Sequence, residues 1–390
     1  MNQGPALART PIEIWEAILD DVIRPGVSLD TSCTLESFRE FRRRGTYGYT
    51  ESEKQRLVLR RVCKKWKKFA EDRAHRRIDS NSPLGLLPPL TVPRATRIHY
   101  TTGHFSNYLT QNTRWKIVQV DITDKEPDLL HHLAENADFH PLIRRLVLDI
   151  KLSEHKTVHI TDLTRFRQLS YLLIRRHIDP SPVSWGEPAS PITLPHLEVL
   201  DFQCDGYSMC FPSKSVHLPS LRHLSLWVRD NSFLLNTITP YASTLRSLMV
   251  RYYYGTASLP PQLFDLLPNV EELAIRGLVT ANVYPPLTHP LKRFIILSRT
   301  IQFSEIRELI ELFPPVRLIF SKLQWPTSNH EGQAPRIGHD ATGDAMHKMK
   351  ELAALCETKS IRLEDDSGRT LPEVNNATKD DTPTRSETAE

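Results

Sequence analysis

The sequence has few cysteines and lacks a long hydrophobic run. Its five cysteines are scattered and form no CxxC pair, so we expect neither a disulfide framework nor a zinc site, and a reducing compartment fits best. No apolar stretch reaches membrane-spanning length, and acidic residues interrupt the first hydrophobic segment. We therefore expect no membrane contact and no secretion, which places the protein in the cytoplasm or the nucleus.

Motifs of the common enzyme classes are also missing. The sequence contains no P-loop, GxGxxG, GxSxG or HExxH pattern, and its 16 histidines are dispersed. We therefore expect a protein that is not an enzyme and that has no cofactor, metal or catalytic residue. The net charge of +4 over 390 residues is mild and by itself indicates neither nucleic acid nor membrane as a partner.

Proline, in contrast, is abundant. The chain has 29 prolines against 14 glycines, and prolines at short intervals favour many short elements over a few long helices. Length alone indicates about two structural units.

Residues 10–23 predict an amphipathic helix. Thr10 and Glu13 form a capping box, and Pro11 suits the first helical position. The apolar side chains recur at helical spacing: Ile14, Trp15, Ile18, Leu19 and Val22.

Residues 57–72, LVLRRVCKKWKKFAED, predict a second helix after a capping box at Thr50 and Glu53. Its apolar face consists of Leu59, Val62, Cys63, Trp66, Phe69 and Ala70. The basic run between Arg60 and Lys68 has three interpretations: a solvated helix face, a nuclear localisation patch or a nucleic-acid surface. We favour the solvated face, because acidic residues follow it and the overall charge is mild, and we do not expect nucleic acid as a partner.

Together the two helices resemble the F-box, whose pattern opens with Leu-Pro-x-Glu-Ile and closes with a Leu…Val-Cys-(Arg/Lys)-x-Trp helix. The matching residues are Pro11, Glu13, Ile14, Ile18 and Leu19 in the opening and Leu59, Val62, Cys63, Lys64 and Trp66 in the close. The resemblance covers residues 9–78, with Thr10 in place of leucine and residues 24–56 as an insertion. Insertions of this kind occur in F-box-like proteins of mushroom-forming fungi.

The resemblance implies a function. F-box domains bind a Skp-type adaptor protein and so join a cullin-based ubiquitin ligase, with apolar helix faces lying against helices of the partner. It assigns this adaptor contact to seven residues: Pro11, Ile14, Trp15, Ile18, Leu59, Val62 and Trp66. The alternative is that these side chains pack against each other, as most amphipathic stripes do.

From residue 92 onward a pattern of apolar residues at positions one, four and six recurs nine times. The clearest copies are LPHLEVLDF, LPSLRHLSL and LPNVEELAI, which begin at Leu194, Leu218 and Leu267, and a weak tenth copy begins at Val316. The first positions of successive copies are separated by 20 to 28 residues, which is the spacing of leucine-rich repeats.

The repeats predict the fold class, which is α/β. We expect the N-terminal F-box-like helices at 9–78, then a curved leucine-rich-repeat-like solenoid with a parallel sheet over 92–364, then a disordered tail over 367–390. An ordinary α/β domain with leucine-rich strands is the alternative. Five helices are predicted between or after the strands, at 127–136, 231–239, 261–267, 304–313 and 342–357.

The positions that follow the predicted strands are candidates for binding a partner. Tyr and Arg are common anchors in protein interfaces, and such residues stand here at Trp227, Arg229, Tyr252, Tyr253 and Tyr254. The alternative is that they only shield the edge of the core.

Three functions are compatible with the sequence. The first is a substrate-recognition adaptor that binds a Skp-type protein through residues 9–78 and a protein substrate through the solenoid. The second is an interaction scaffold outside the ubiquitin system, in which the N-terminal helices cap the first repeat. The third is a nucleic-acid binder that uses the basic run, whose affinity would fall steeply with salt.

Overall fold

The computed structural model describes a little more than half of the chain. The described residues are 14, 18–19, 54–72, 77–79, 97–100, 116–125, 127–137, 140–152, 157–158, 160–176, 184–185, 191–204, 215–228, 230–280, 285–297, 303–312, 317–320 and 344–364. The prediction of a disordered tail, and most of the first predicted helix and of the insertion, lie outside these residues. No helix in the described ranges is long and apolar enough to cross a membrane.

The chain is mixed α/β and divides into two compact units. The first consists of Met1–Leu200 and Cys204–Leu218, and the second consists of Asp201–Gln203 and Pro219–Glu390. The strands in chain order are β1 (Arg77–Asp79), β2 (Arg97–Tyr100), β3 (Ile117–Thr123), β4 (Arg145–Lys151), β5 (Thr157–Val158), β6 (Tyr171–Arg176), β7 (Ser184–Trp185), β8 (Ile192–Thr193), β9 (Val199–Cys204), β10 (Val216–His217), β11 (His223–Val228), β12 (Ser247–Ser258), β13 (Glu272–Thr280), β14 (Arg293–Ile296), β15 (Arg317–Phe320) and β16 (Arg362–Glu364).

A large parallel sheet is the main feature of both units, as the repeats predict. In the first unit the strand order is β1-β2-β3-β4-β6, and in the second it is β11-β12-β13-β14-β15-β16, while β9 contains residues of both units. Successive repeats are therefore neighbours in space, so each strand buries its apolar side chains against those of the next. The curvature of a leucine-rich-repeat solenoid stays a prediction.

The register of the strands follows the repeat pattern. In the first unit Ile98 pairs with Val118, Val118 with Leu146, and Leu146 with Leu172. Each of these four residues occupies the second apolar position of its copy, and each is at most 2% exposed.

The second unit has an apolar row of its own. It runs through Leu224, Leu248, Leu273, Phe294, Leu318 and Leu363. Residues of one row point to the same face of a parallel sheet, so they form a continuous apolar layer. A strand, β15, lies where the weak tenth copy is predicted from Val316, but the predicted register is wrong by one residue, since Leu318 and not Ile319 pairs with Phe294.

The backbone at the start of the strands repeats as well. Arg144 and Arg145 both donate their N–H groups to the carbonyl of Lys116, at 2.9 and 3.0 Å. The same pair of hydrogen bonds recurs one repeat later, from Ser170 and Tyr171 to the carbonyl of Arg144. In the second unit, Arg246 and Ser247 donate in this way to Arg222. The identical geometry in copies of different sequence shows that the repeats are structural units.

The helices lie between the strands, where the sequence predicts them. They are Leu129–Glu135, Asn231–Ile238, Leu263–Leu266, Phe303–Leu312 and Asp344–Lys359, and short 3₁₀ helices occur at His140–Leu142, Ile160–Arg165 and Thr239–Tyr241. Asp230 caps the second of these helices, because its carboxylate accepts a hydrogen bond from the N–H of Phe233 at 2.8 Å.

Two small features were not predicted. β1 follows the N-terminal helices directly and pairs with β2 in the same register row, with Ile78 opposite Ile98. Two two-stranded pairs, β5 with β7 and β8 with β10, join the segments between the main strands. Strands of two or three residues are too short to show a sequence pattern.

The N-terminal helices differ from the prediction in one respect. The second predicted helix is two helices, at 54–59 and at Lys64–Asp72, separated by a turn at 60–62. In this turn the N–H of Arg61 donates to the carbonyl of Val58 and that of Val62 to the carbonyl of Leu59, and such three-residue steps end an α-helix.

An ion pair between Arg60 and Glu71, at 3.2 Å, shows that the chain reverses at this turn. In one continuous helix these residues would stand about 16 Å apart along the axis.

Candidate protein-interaction surfaces

The N-terminal helices have a small core of their own. Leu19, Leu59, Phe69 and Ala70 are buried together, and Trp66 packs against them while remaining partly exposed. The reversal at 60–62 makes this core possible, because it brings Leu59 to the same place as Phe69. A continuous helix would hold these two side chains about 15 Å apart along its axis.

Other apolar side chains of the same helices remain in solvent. Ile14 is 50% exposed, Ile18 is 45% exposed and Val62 is 53% exposed. Leu57 and Val58 are exposed to a similar extent. We call these five the exposed N-terminal residues; they make up most of the large exposed apolar side chains in the described part of the chain.

The residues that the F-box resemblance assigns to adaptor binding therefore fall into three groups. Ile14, Ile18 and Val62 lie on the surface and Trp66 is half-buried. Leu59 is only 7% exposed, so its assignment to the contact is corrected: it is a core residue, because the turn at 60–62 directs it towards Phe69. Pro11 and Trp15 lie outside the described residues.

The basic run forms a charged helix face. Lys64, Lys65, Lys67 and Lys68 are all exposed, whereas Phe69 and Ala70 on the same helix are buried. This arrangement is that of an amphipathic surface helix, which needs only water around its lysines. A solvated helix face, the interpretation favoured for the basic run, is expected to have this arrangement.

The tyrosines proposed for partner binding lie elsewhere than predicted. Tyr252, Tyr253 and Tyr254 are part of β12, which continues to Ser258, and do not follow it. β12 keeps its pairing with β13 beyond Arg251 through a shift of register between Arg251 and Thr256. Such a bulge inserts extra residues on one strand without ending it.

Tyr252 is engaged within the protein. Its hydroxyl donates to Asn231 Oδ1 at 2.9 Å, and burial raises the pKa of Tyr252 to about 12. This hydrogen bond joins β12 to the helix that begins at Asn231, and the partner-binding role of Tyr252 stays a prediction. The side chains of Tyr253 and Tyr254, and the whole of Arg229, lie outside the described residues.

Trp227 is the proposed partner-binding residue with the most distinctive surroundings. It belongs to β11, where Trp227 pairs with Arg251 of β12, and Arg251 in turn pairs with Arg276 of β13. The guanidinium carbons of Arg251 and Arg276 lie 5.5 and 5.2 Å from the centre of the indole ring. Both distances are in the range of cation–π contacts.

Asp201 completes this group. Its carboxylate is fully buried and lies 3.9 Å from Arg251 Nη2, and Gln203 donates to it at 2.8 Å. We call Asp201, Trp227, Arg251 and Arg276 the Arg–Trp–Arg cluster. All four residues belong to the second unit.

The first unit has a polar group on its strands as well. Asp121 accepts hydrogen bonds from His99 at 2.7 Å and from Lys151 Nζ at 2.6 Å. Burial by itself would raise the pKa of Asp121, but the hydrogen bonds from His99 and Lys151 outweigh it and lower the pKa from 3.8 to about 2. Asp121 therefore stays ionised at any physiological pH.

These polar groups were not predicted from the sequence, although the strands carry a signal for them. The signal was available within the strands: polar residues alternate with the buried leucines and valines, as in IVQVDIT of β3 and HLSLWV of β11. Alternation places them on the sheet face opposite to the apolar layer.

Comparison with known proteins adds no assignment. The sequence matches no protein-family model, and no curated protein shows a significant similarity to it. Within the described residues, no group of three or more histidine, cysteine, aspartate or glutamate side chains is placed to hold a metal ion.

Proposed function

We propose that this protein is a substrate-recognition adaptor of a cullin-based ubiquitin ligase. Its N-terminal helices bind a Skp-type adaptor protein, and its repeat region binds a protein substrate. The proposal joins the F-box resemblance of residues 9–78 to the parallel strand repeats that follow.

The exposed N-terminal residues carry the proposal. A helical region of this size has few apolar side chains, and it uses Leu19, Leu59, Phe69 and Ala70 for its own core. Ile14, Ile18 and Val62 are about half exposed. Burial of apolar surface stabilises a protein by about 25 cal/mol for each Å², and the exposed parts of these side chains do not contribute this free energy. A partner that covers them recovers this free energy.

The exposure also argues against the scaffold alternative, in which these helices cap the first repeat. A cap covers the open end of a repeat array with apolar side chains and faces solvent with polar ones. Ile14, Ile18 and Val62 face solvent instead.

The test is direct binding of the intact protein to the Skp-type adaptor of the same organism. We expect Val62→Asp and Ile14→Asp each to weaken this binding at least about tenfold, because each puts a charge into a desolvated apolar contact. Leu142→Asp is the matched control, since Leu142 is similarly exposed at 43% but belongs to the turn His140–Leu142.

Each variant must keep the circular dichroism spectrum and melting temperature of the wild-type protein. If the wild-type protein does not bind the adaptor, or if all three variants bind it equally well, the ligase assignment is rejected. The scaffold function would then be the better account of the repeats.

A further inference from the structure

We propose that the Arg–Trp–Arg cluster binds a protein segment that carries an anionic side chain, either a carboxylate or a phosphate. This inference names the substrate class of the proposed function and rests on that function for its biological meaning. The binding itself can be measured without the ligase.

The Arg–Trp–Arg cluster carries two positive charges, on Arg251 and Arg276, and one negative charge, on Asp201. Arg251 and Arg276 are register partners on adjacent strands, and like charges placed opposite each other in a sheet are destabilising. Among the described residues, the carboxylate of Asp201 lies 3.9 Å from Arg251, and Arg276 makes no ion pair. An anion bound beside Arg276 would neutralise the second positive charge of the cluster.

The two arginines of the cluster differ in burial and in their contacts. Arg251 is 4% exposed and is fixed by Asp201 and by a contact of its Nη2 with Met249 Sδ at 3.8 Å. Arg276 is partly exposed, and in the described part of the chain it makes no ion pair.

The indole ring of Trp227 orients the guanidinium group of Arg276. A guanidinium group that lies over an indole ring presents its N–H edge outwards, and that edge matches a carboxylate or phosphate with two parallel hydrogen bonds. Trp227 fixes the orientation of this group before the ligand arrives, so less conformational entropy is lost on binding. Tryptophan and arginine are also the residues that most often dominate the energy of protein interfaces.

Two other arginines on strands of the second unit are paired with carboxylates. Arg293 lies 3.7 Å from Glu272, and Arg362 lies 2.6 Å from Glu364. In the first unit, Lys151 is bound to Asp121 at 2.6 Å and Arg175 lies 3.8 Å from Asp149. Arg276 thus differs from these strand cations, which makes it the anchor of the proposed contact.

The experiment measures fluorescence anisotropy of three labelled peptides with the intact protein. The peptides are a Gly–Glu repeat, a Gly–phosphoserine repeat and a neutral Gly–Gln repeat. We expect at least one of the two anionic peptides to bind about tenfold more tightly than the neutral peptide, and the difference to shrink as salt is added. Tighter binding of the phosphoserine or the glutamate peptide identifies phosphate or carboxylate as the preferred group.

Arg276→Gln should weaken binding of the preferred peptide about five- to tenfold, the loss expected for one charge-assisted pair of hydrogen bonds. Arg276→Lys, which keeps the charge but not the planar fork, should recover part of the affinity. Arg307→Gln is the matched control: Arg307 is an exposed arginine of the helix Phe303–Leu312 and pairs with Glu311 at 2.9 Å.

Equal binding of all three peptides overturns the inference, and so does a loss of affinity that is the same for Arg276→Gln and Arg307→Gln. A melting temperature close to that of the wild-type protein shows that each variant is folded. None of these results depends on the Skp-type adaptor, so a failure here is distinct from a failure of the proposed function.

Discussion

Asp121 illustrates, at the scale of single residues, how the strands of this protein accommodate charge. Its carboxylate is 7% exposed, and an isolated carboxylate in such a place would be strongly disfavoured. His99 and Lys151 compensate it with hydrogen bonds of 2.7 and 2.6 Å. The polar side chains between the buried leucines are therefore part of the folded structure.

The lowered pKa of Asp121 predicts a pH-dependent contribution to stability. Its folded-state value of about 2 lies below the ordinary value of 3.8, so the ionised form stabilises the fold above pH 4 and this contribution is lost as the pH falls towards 2. We expect Asp121→Asn to lower the free energy of unfolding by about 1–2 kcal/mol at pH 7 and by much less near pH 2.

Urea unfolding at several pH values measures this dependence. Asp265→Asn, which changes an exposed aspartate of the helix Leu263–Leu266, should have little effect at either pH. If Asp121→Asn lowers the free energy of unfolding by the same amount at every pH, the predicted role of the ionised Asp121 carboxylate is wrong.

At the scale of elements, the row of apolar residues that crosses the sheet holds the repeats together. Leu248 is fully buried between its register partners Leu224 and Leu273. We expect Leu248→Ala to lower the free energy of unfolding by about 2–5 kcal/mol, because it removes buried methyl groups and leaves a cavity between two strands.

Leu287→Ala is the control for this prediction, since Leu287 is 85% exposed and should tolerate the change within about 0.5 kcal/mol. Chemical denaturation followed by circular dichroism measures both. Equal effects of the two substitutions would show that the apolar row does not determine stability.

The elements also show what the sequence can predict. The strands and their register follow from a pattern that recurs about every 25 residues, because each copy must align its buried positions with those of its neighbours. The turn at 60–62 could not be predicted in the same way. The apolar stripe from Leu59 to Phe69 fits one helix or two, and the choice depends on contacts with Leu19, which is distant in the sequence.

The Arg–Trp–Arg cluster was predictable only in part. Alternation within HLSLWV places Trp227 opposite to the buried leucines. The register then brings Arg251 and Arg276 alongside it, but the side-chain contacts with the ring and with Asp201 depend on rotamers that no sequence pattern specifies. The extension of β12 through the tyrosines depends likewise on a bulge against β13.

At the scale of the whole molecule, the two proposed binding surfaces belong to different parts of one chain. The exposed N-terminal residues belong to the first unit and the Arg–Trp–Arg cluster belongs to the second. One surface is apolar and the other is cationic, so they suit partners of different chemistry. An adaptor needs this combination, because it must hold the ligase and the substrate at the same time.

The central claim is that the N-terminal helices bind a Skp-type adaptor protein through their exposed apolar side chains. Isothermal titration of that adaptor with the intact protein, at several temperatures, tests it most directly. We predict saturable one-to-one binding with a negative change in heat capacity, the mark of apolar surface buried on binding, and a smaller change for Val62→Asp. An adaptor preparation that binds an established F-box protein but gives no saturable heat with this one would contradict the claim.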